Sequence, residues 1–363
     1  MRKFLFLALF PLSVLICGAQ TPGFDGDEPA TVPEPGAEEG PRPFGAQALL
    51  IIDADTVKDI WIIAATKGEI RYREAPVSID SFDMRIAKAK SIYLIEPKEF
   101  AQAMDLYQAR KYDEAKKKFA AVKTRYKSME AMPGNHSALA AYYELECMRR
   151  LGDLEGLSAG MQRFIKDPLT RESQQRQVDL YVFWDAVRTK SWQRIDALAK
   201  ERVNEHLPNF LRAQIGYCQG LALEGLNKPS AALNAYNTAI TADSGASEEI
   251  TRQAALNILR IHKANPDVQL AMKLWGTPDQ NKNTQGYFRL LEASSMAKFY
   301  QFLLGGGSAL PPEYKDLLNY QEGGAKTAAA PAPTVEKAEK KTDKKAADGE
   351  KAADEEKAAD DEK

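Results

Sequence analysis

The chain predicts a mainly α-helical protein, a right-handed α-solenoid of paired helices preceded by a small antiparallel β module. Two observations carry that expectation. Apolar residues recur at helical spacing from residue 97 to residue 320, in segments that come in pairs. Short apolar runs and alternations, the signature of strands, are confined to residues 46–96. With 363 residues, 44% hydrophobic and 28% charged, the chain is long enough to bury a sizeable core.

Residues 1–19 begin with Arg2 and Lys3, continue as an apolar run from position 4 to 16 and end in Gly18 and Ala19. That three-part grammar is a secretory signal, with cleavage expected after Ala19, and the apolar run is short for a membrane span. Lipidation of Cys17 is disfavoured because Ile16 stands where a lipoprotein signal carries a small residue. No later segment has the length and apolarity of a transmembrane span. The mature protein is therefore expected to be exported, periplasmic or secreted in a diderm bacterium. Residues 20–45 hold six acids against Arg42 alone, among Pro, Gly and Ala, and read as a disordered acidic linker.

Within 46–96, apolar runs at 49–52 and 60–63, an alternation at Ile70 and Tyr72, and a last pair at Ile92 and Leu94 predict strands. Thr66, Lys67 and Gly68 read as a hairpin turn in which Gly68 supplies a positive φ. About fifty residues with four or five strands fit a bent sheet or an SH3-like barrel, stabilised by docking on the helical part of the chain. Trp61, lying in an apolar strand, reads as a core residue.

From 97 to 320 the helices recur in pairs. Residues 110–119, Arg-Lys-Tyr-Asp-Glu-Ala-Lys-Lys-Lys-Phe, put Tyr112, Ala115, Phe119 and, just beyond, Val122 at packing positions. A second segment, 220–239, places Gly220, Leu223, Ala232, Tyr236 and Ala239 so that small residues mark helix crossings and large ones interdigitate. These residues resemble the turn and second helix of the tetratricopeptide repeat family. Weaker copies surround Leu151-Gly152-Asp153, Lys190-Ser191-Trp192 and Asn265-Pro266. Taking Ala115, Leu157, Ile195, Ala232 and Ala271 as equivalent gives spacings of 42, 38, 37 and 39, longer than the family's ~34, so lengthened connections are expected. Each pair has an apolar stripe it cannot cover alone, so pairs must stack. The β module is placed to cap one end of the stack. Helices at 284–304 and 312–319 are placed to cap the other, with Gly305, Gly306 and Gly307 ending the first.

Residues 321–363 turn to Ala, Gly and Pro and then to Lys, Glu and Asp, with a six-residue repeat beginning at Lys345, Lys351 and Lys357. Six matches neither helical nor strand period, so this tail reads as a solvated, disordered polyampholyte. The whole chain carries 49 basic and 51 acidic residues, a net charge of −2. Nothing in that total favours nucleic acid as a partner.

Candidate chemistry is sparse. The chain has no His-Glu-x-x-His, Cys-x-x-Cys, phosphate loop or Gly-x-Ser-x-Gly elbow. His136, His206 and His262 lie far apart near helix ends and read as surface or capping residues, and Cys147 and Cys218 as unpaired core thiols. No cofactor, no metal and no enzymatic activity are expected. The resemblance instead implies a concave groove lined by the first helix of each pair. Its partner-binding positions would be Phe100, Tyr107, Tyr142, Arg149, Trp184, Arg188, Tyr217 and Arg260. Aromatic rings beside Arg are what protein and peptide interfaces favour. The Lys/Asn clamp that some relatives use for a peptide carboxylate is missing, since Tyr142, Glu146, Tyr217 and Leu221 hold those places. The expected function is an exported interaction scaffold binding an envelope protein or peptide. The alternative is a glycan or small-molecule binding protein of the cell envelope.

Overall fold

The computed structural model describes residues 45–243, 248–304 and 309–321. The signal at 1–19, nearly all of the linker at 20–45, the glycines at 305–307 and the tail after residue 321 lie outside the described residues. What is described is mainly helical, with a small antiparallel sheet at its N-terminal end.

The sheet comprises β1 (Ala46–Ile51), β2 (Val57–Ala65), β3 (Glu69–Arg73), β4 (Phe82–Arg85) and β5 (Ser91–Leu94), in the order β4-β3-β2-β1-β5. It is an open sheet with β4 and β5 as edges. Period-two alternation decides what it buries. Ala48 pairs with Ile60 and Ala46 with Ile62, and these join Leu50 and Ile70 on a fully covered face. Trp61 stands between the two buried isoleucines. Alternation therefore turns it to the other face, opposite Gln47 and Arg73, where it is half-buried rather than core. The β2–β3 turn falls where the sequence placed it, but Gly68 has no positive φ. Thr66 holds the turn instead, its Oγ1 accepting from the Gly68 and Glu69 amides at 3.3 and 3.1 Å.

The covered face shares one core with the first helices, α1 (Lys98–Gln108) and α2 (Tyr112–Arg125), through Phe100, Phe119, Val122 and Met129. Four further pairs follow: α3 (His136–Leu151) with α4 (Leu154–Met161), α5 (Glu172–Arg188) with α6 (Trp192–Glu201), α7 (Asn209–Gly225) with α8 (Pro229–Ala242), and α9 (Glu248–Ala264) with α10 (Pro266–Leu274). Ala115, Leu157, Ile195 and Ala232 are all buried in the second helix of their pair, and Ala271, half-buried, lies in α10. Consecutive helices pack on each other, and the first helices of successive pairs also touch, α3 on α5, α5 on α7 and α7 on α9.

Local chemistry sets the boundaries. Asn135 caps α3 by accepting from the Ala138 amide at 2.8 Å, and Gly152 ends the helix at φ +73°, where a side chain would be strained. Asp153 then caps α4 through the Gly156 amide. The closest crossing is α7 on α8, where Gly216 and Gly220 face Ala235, Ala239 and the fully buried Tyr236. After α10 comes α11 (Gln285–Phe299), capped by Thr284 and continued by a π-helical turn over Tyr300–Leu304. A 3-10 helix, Pro312–Asn319, packs back on α11. Among the described residues no helix is long and apolar enough to cross a membrane.

Candidate functional site

The residues expected to line a groove divide among three places. Phe100 belongs to the N-terminal core, its ring 5.7 Å from Phe119. Arg188 and Arg260 stand in outlying ion pairs, Arg188 with Asp185 and Glu155, Arg260 with Glu224. Tyr107, Tyr142, Arg149, Trp184 and Tyr217 do come together on facing surfaces of α1, α3, α5 and α7. They are not an open wall, however. Tyr142, Arg149, Trp184 and Tyr217 are each less than a tenth exposed, engaged by the chain's own side chains.

The centre of this assembly is Glu146. Helical spacing puts Arg149 three residues on and on the same face, and the guanidinium grips the carboxylate with two bonds of 3.0 Å. Tyr181 of α5 donates to the same carboxylate at 2.7 Å. Glu146 and Arg149 are 4% and 5% exposed, so neither charge is solvated enough to stand alone. Burial works to raise the Glu146 pKa, but Arg149, the Tyr181 hydroxyl and Arg150 together outweigh it and hold the carboxyl below its usual range.

A second carboxylate enters from far along the chain. Glu249, in the first turn of α9, accepts from Arg150 at 3.0 Å and from Arg149 at 3.4 Å. Arg150 also donates to the Tyr107 hydroxyl at 2.9 Å and the Tyr112 hydroxyl at 3.3 Å, and its guanidinium lies over both rings. Two guanidiniums and two carboxylates balance. The contact joins α3 to α9 across the intervening α5 and α7.

The next layer is uncharged. Gln177 and Gln214 exchange hydrogen bonds of 3.0 and 2.7 Å, and the Trp184 indole donates to Gln214 at 2.9 Å. Tyr217 donates to Gln253 at 3.2 Å, and burial pushes its phenol up to about 12. These rings and amides are satisfied in place, which fixes the rows of helices against one another.

Tyr181, Arg150, Glu249 and Gln177 were not anticipated as site residues. The glutamines had a signal: Gln177 and Gln214 are 37 residues apart, the same interval as Ile195 and Ala232, so they occupy one position in consecutive pairs. The other expectations for polar groups also shift. His136 and His262 are 5% and 3% exposed rather than surface residues, and burial lowers both pKa values, that of His262 to about 4. Cys147 and Cys218 are free and buried. Among the described residues no group of three or more His, Cys, Asp or Glu is placed to hold a metal ion.

Since the Tyr181 hydroxyl bonds a charged acceptor, Tyr181→Phe is expected to cost about 1.5–3 kcal/mol. Urea unfolding of the full chain measures this. A loss below about 0.5 kcal/mol, the usual scatter of neutral substitutions, would mean that Glu146 finds another donor. Comparison with protein-family models, curated proteins and solved structures finds no match to the chain.

Proposed function

We propose that the protein is a non-enzymatic, exported scaffold of the bacterial envelope, a TPR-like solenoid that binds an acidic segment of another envelope protein. The contacts of first helix on first helix, with second helices packed between them, support the solenoid reading. The leader at residues 1–19 supports export. One observation carries the binding reading: Arg149 and Arg150, backed by the Tyr107 and Tyr112 hydroxyls, already hold a carboxylate that comes from a distant helix. Glu249 stands where a partner's acidic residue would stand. In this arrangement the inner wall is closed by the chain itself, and a partner gains access by displacing Glu249.

The test compares three proteins as bait in an envelope extract. Glu249→Ala removes the internal competitor and is expected to raise recovery of a partner several-fold over the natural chain. Arg150→Ala is expected to abolish it. Equal recovery by all three would overturn the reading.

A further inference from the structure

Away from the inner wall, a groove of about 880 Å³ runs between α8 and α11 over a floor formed by α9. Its volume is that of a ligand site rather than of a packing defect. Residues from both walls repeat at helical spacing, so each helix turns one face to the groove for two turns or more. From α8 come Asn234 and Asn237; from α11 come Gln285, Phe288, Arg289 and Glu292.

The chemistry of these walls is specific. Asn234, Asn237 and Gln285 each offer an amide oxygen and two N–H donors, and no hydrogen bond among the described residues engages those side-chain amides, only the Asn234 and Asn237 main-chain carbonyls accepting, from Thr238 and Thr241. Arg289 and Glu292 contribute one charge of each sign, and Arg289 donates weakly to Ser230 at 3.4 Å. On the floor, His262 is 3% exposed and its Nδ1 is buried without a partner. Its Nε2 is 3.9 Å from Glu292. Burial and the neighbouring Arg289 keep the ring neutral near pH 7, so the groove has no net charge. Phe288 is 54% exposed and presents an apolar face beside the amides.

We propose that this groove binds a neutral oligosaccharide. Uncharged amides satisfy vicinal hydroxyls, which both donate and accept, and the exposed Phe288 ring takes the C–H face of a pyranose. A charged ligand of either sign would meet a like charge, on Arg289 or on Glu292, both of which line the groove. A peptide strand would need a free sheet edge, and a docking helix an unbroken apolar strip. The groove has neither, because its walls are helices on which polar and apolar side chains interleave. This inference goes beyond the protein-binding reading and uses none of its residues.

Isothermal titration of the full chain with chitotetraose, cellotetraose and maltotetraose tests it. At least one sugar is expected to bind saturably with a Kd of about 1 mM or tighter. Phe288→Ala and Asn234→Ala, both on exposed positions, are expected to weaken that binding at least ten-fold, whereas Glu249→Ala leaves it unchanged. Saturation by none of the three sugars, or binding indifferent to Phe288→Ala, would overturn the proposal. So would tetra-alanine binding as tightly and with the same sensitivity to Phe288→Ala.

Discussion

Arg149→Ala is expected to destabilise the protein by about 3–5 kcal/mol, the range found when one partner of a buried ion pair is removed. The guanidinium it deletes supplies two of the hydrogen bonds on Glu146 and one of the two ion pairs on Glu249. What remains around the buried Glu146 carboxylate is the Tyr181 hydroxyl and Arg150 at 3.9 Å. The cost is that of an uncompensated charge, not of a lost attraction, and a second variant separates the two. Glu146→Leu with Arg149→Met removes both charges and refills the volume, so it should recover most of the loss. Urea unfolding of the full chain, with the natural protein alongside, gives both numbers. An exposed pair sets the scale: Lys67 and Asp167 also meet at 2.8 Å, but with side chains 73% and 71% exposed, and pairs of that kind contribute roughly 0.2–1 kcal/mol. If Arg149→Ala behaved like a surface change, the cluster around Glu146 would be solvated and open.

The helical pairs were legible because their signal is local and repeated. Ala115, Leu157, Ile195 and Ala232 all fall in the second helix of a pair and are all buried, since an apolar residue at the same place in each helix pair has only one face to go to. The sheet was legible for the same reason: Ile60 and Ile62 bury together because a strand has period two. Trp61 is the exception that the rule itself produces, for a residue between two inward positions must point out. The site was harder to read. Tyr107, Tyr142, Arg149, Trp184 and Tyr217 lie on facing surfaces of first helices, but the spacing that would make them face a groove also lets them face each other, and all but Tyr107 are buried. Glu249 decides which, and it lies 99 residues from Arg150. Its reach depends on how the intervening helices α5 and α7 pack between α3 and α9, and helix crossing angles have no local signature in the sequence.

Gly216→Val is expected to lower the unfolding free energy by about 3 kcal/mol, although it replaces the poorest helix former among ordinary residues. In a solvated helix replacing glycine would help slightly, by no more than about 0.5 kcal/mol for a β-branched residue such as valine. Here a Cβ on Gly216 would lie 2.9 Å from the Ala235 carbonyl oxygen and 3.0 Å from the Ala239 nitrogen. Those are backbone atoms of α8, so no rotamer change relieves the contact and the whole helix must retreat. A control separates crowding from conformational preference. A Cβ on Gly160 meets the Leu145 Cδ2 methyl at 2.5 Å, but its next neighbours are 3.9 Å away, and a terminal methyl can turn aside. Gly160→Ala should therefore change stability by no more than about 0.5 kcal/mol, crowding and helix propensity nearly cancelling. Thermal unfolding of the two variants beside the natural chain measures the difference. A Gly216→Val protein as stable as the parent would mean that α7 and α8 separate at little cost, and helices that loose could not carry Gln214 and Tyr217 at fixed distances from α5 and α9.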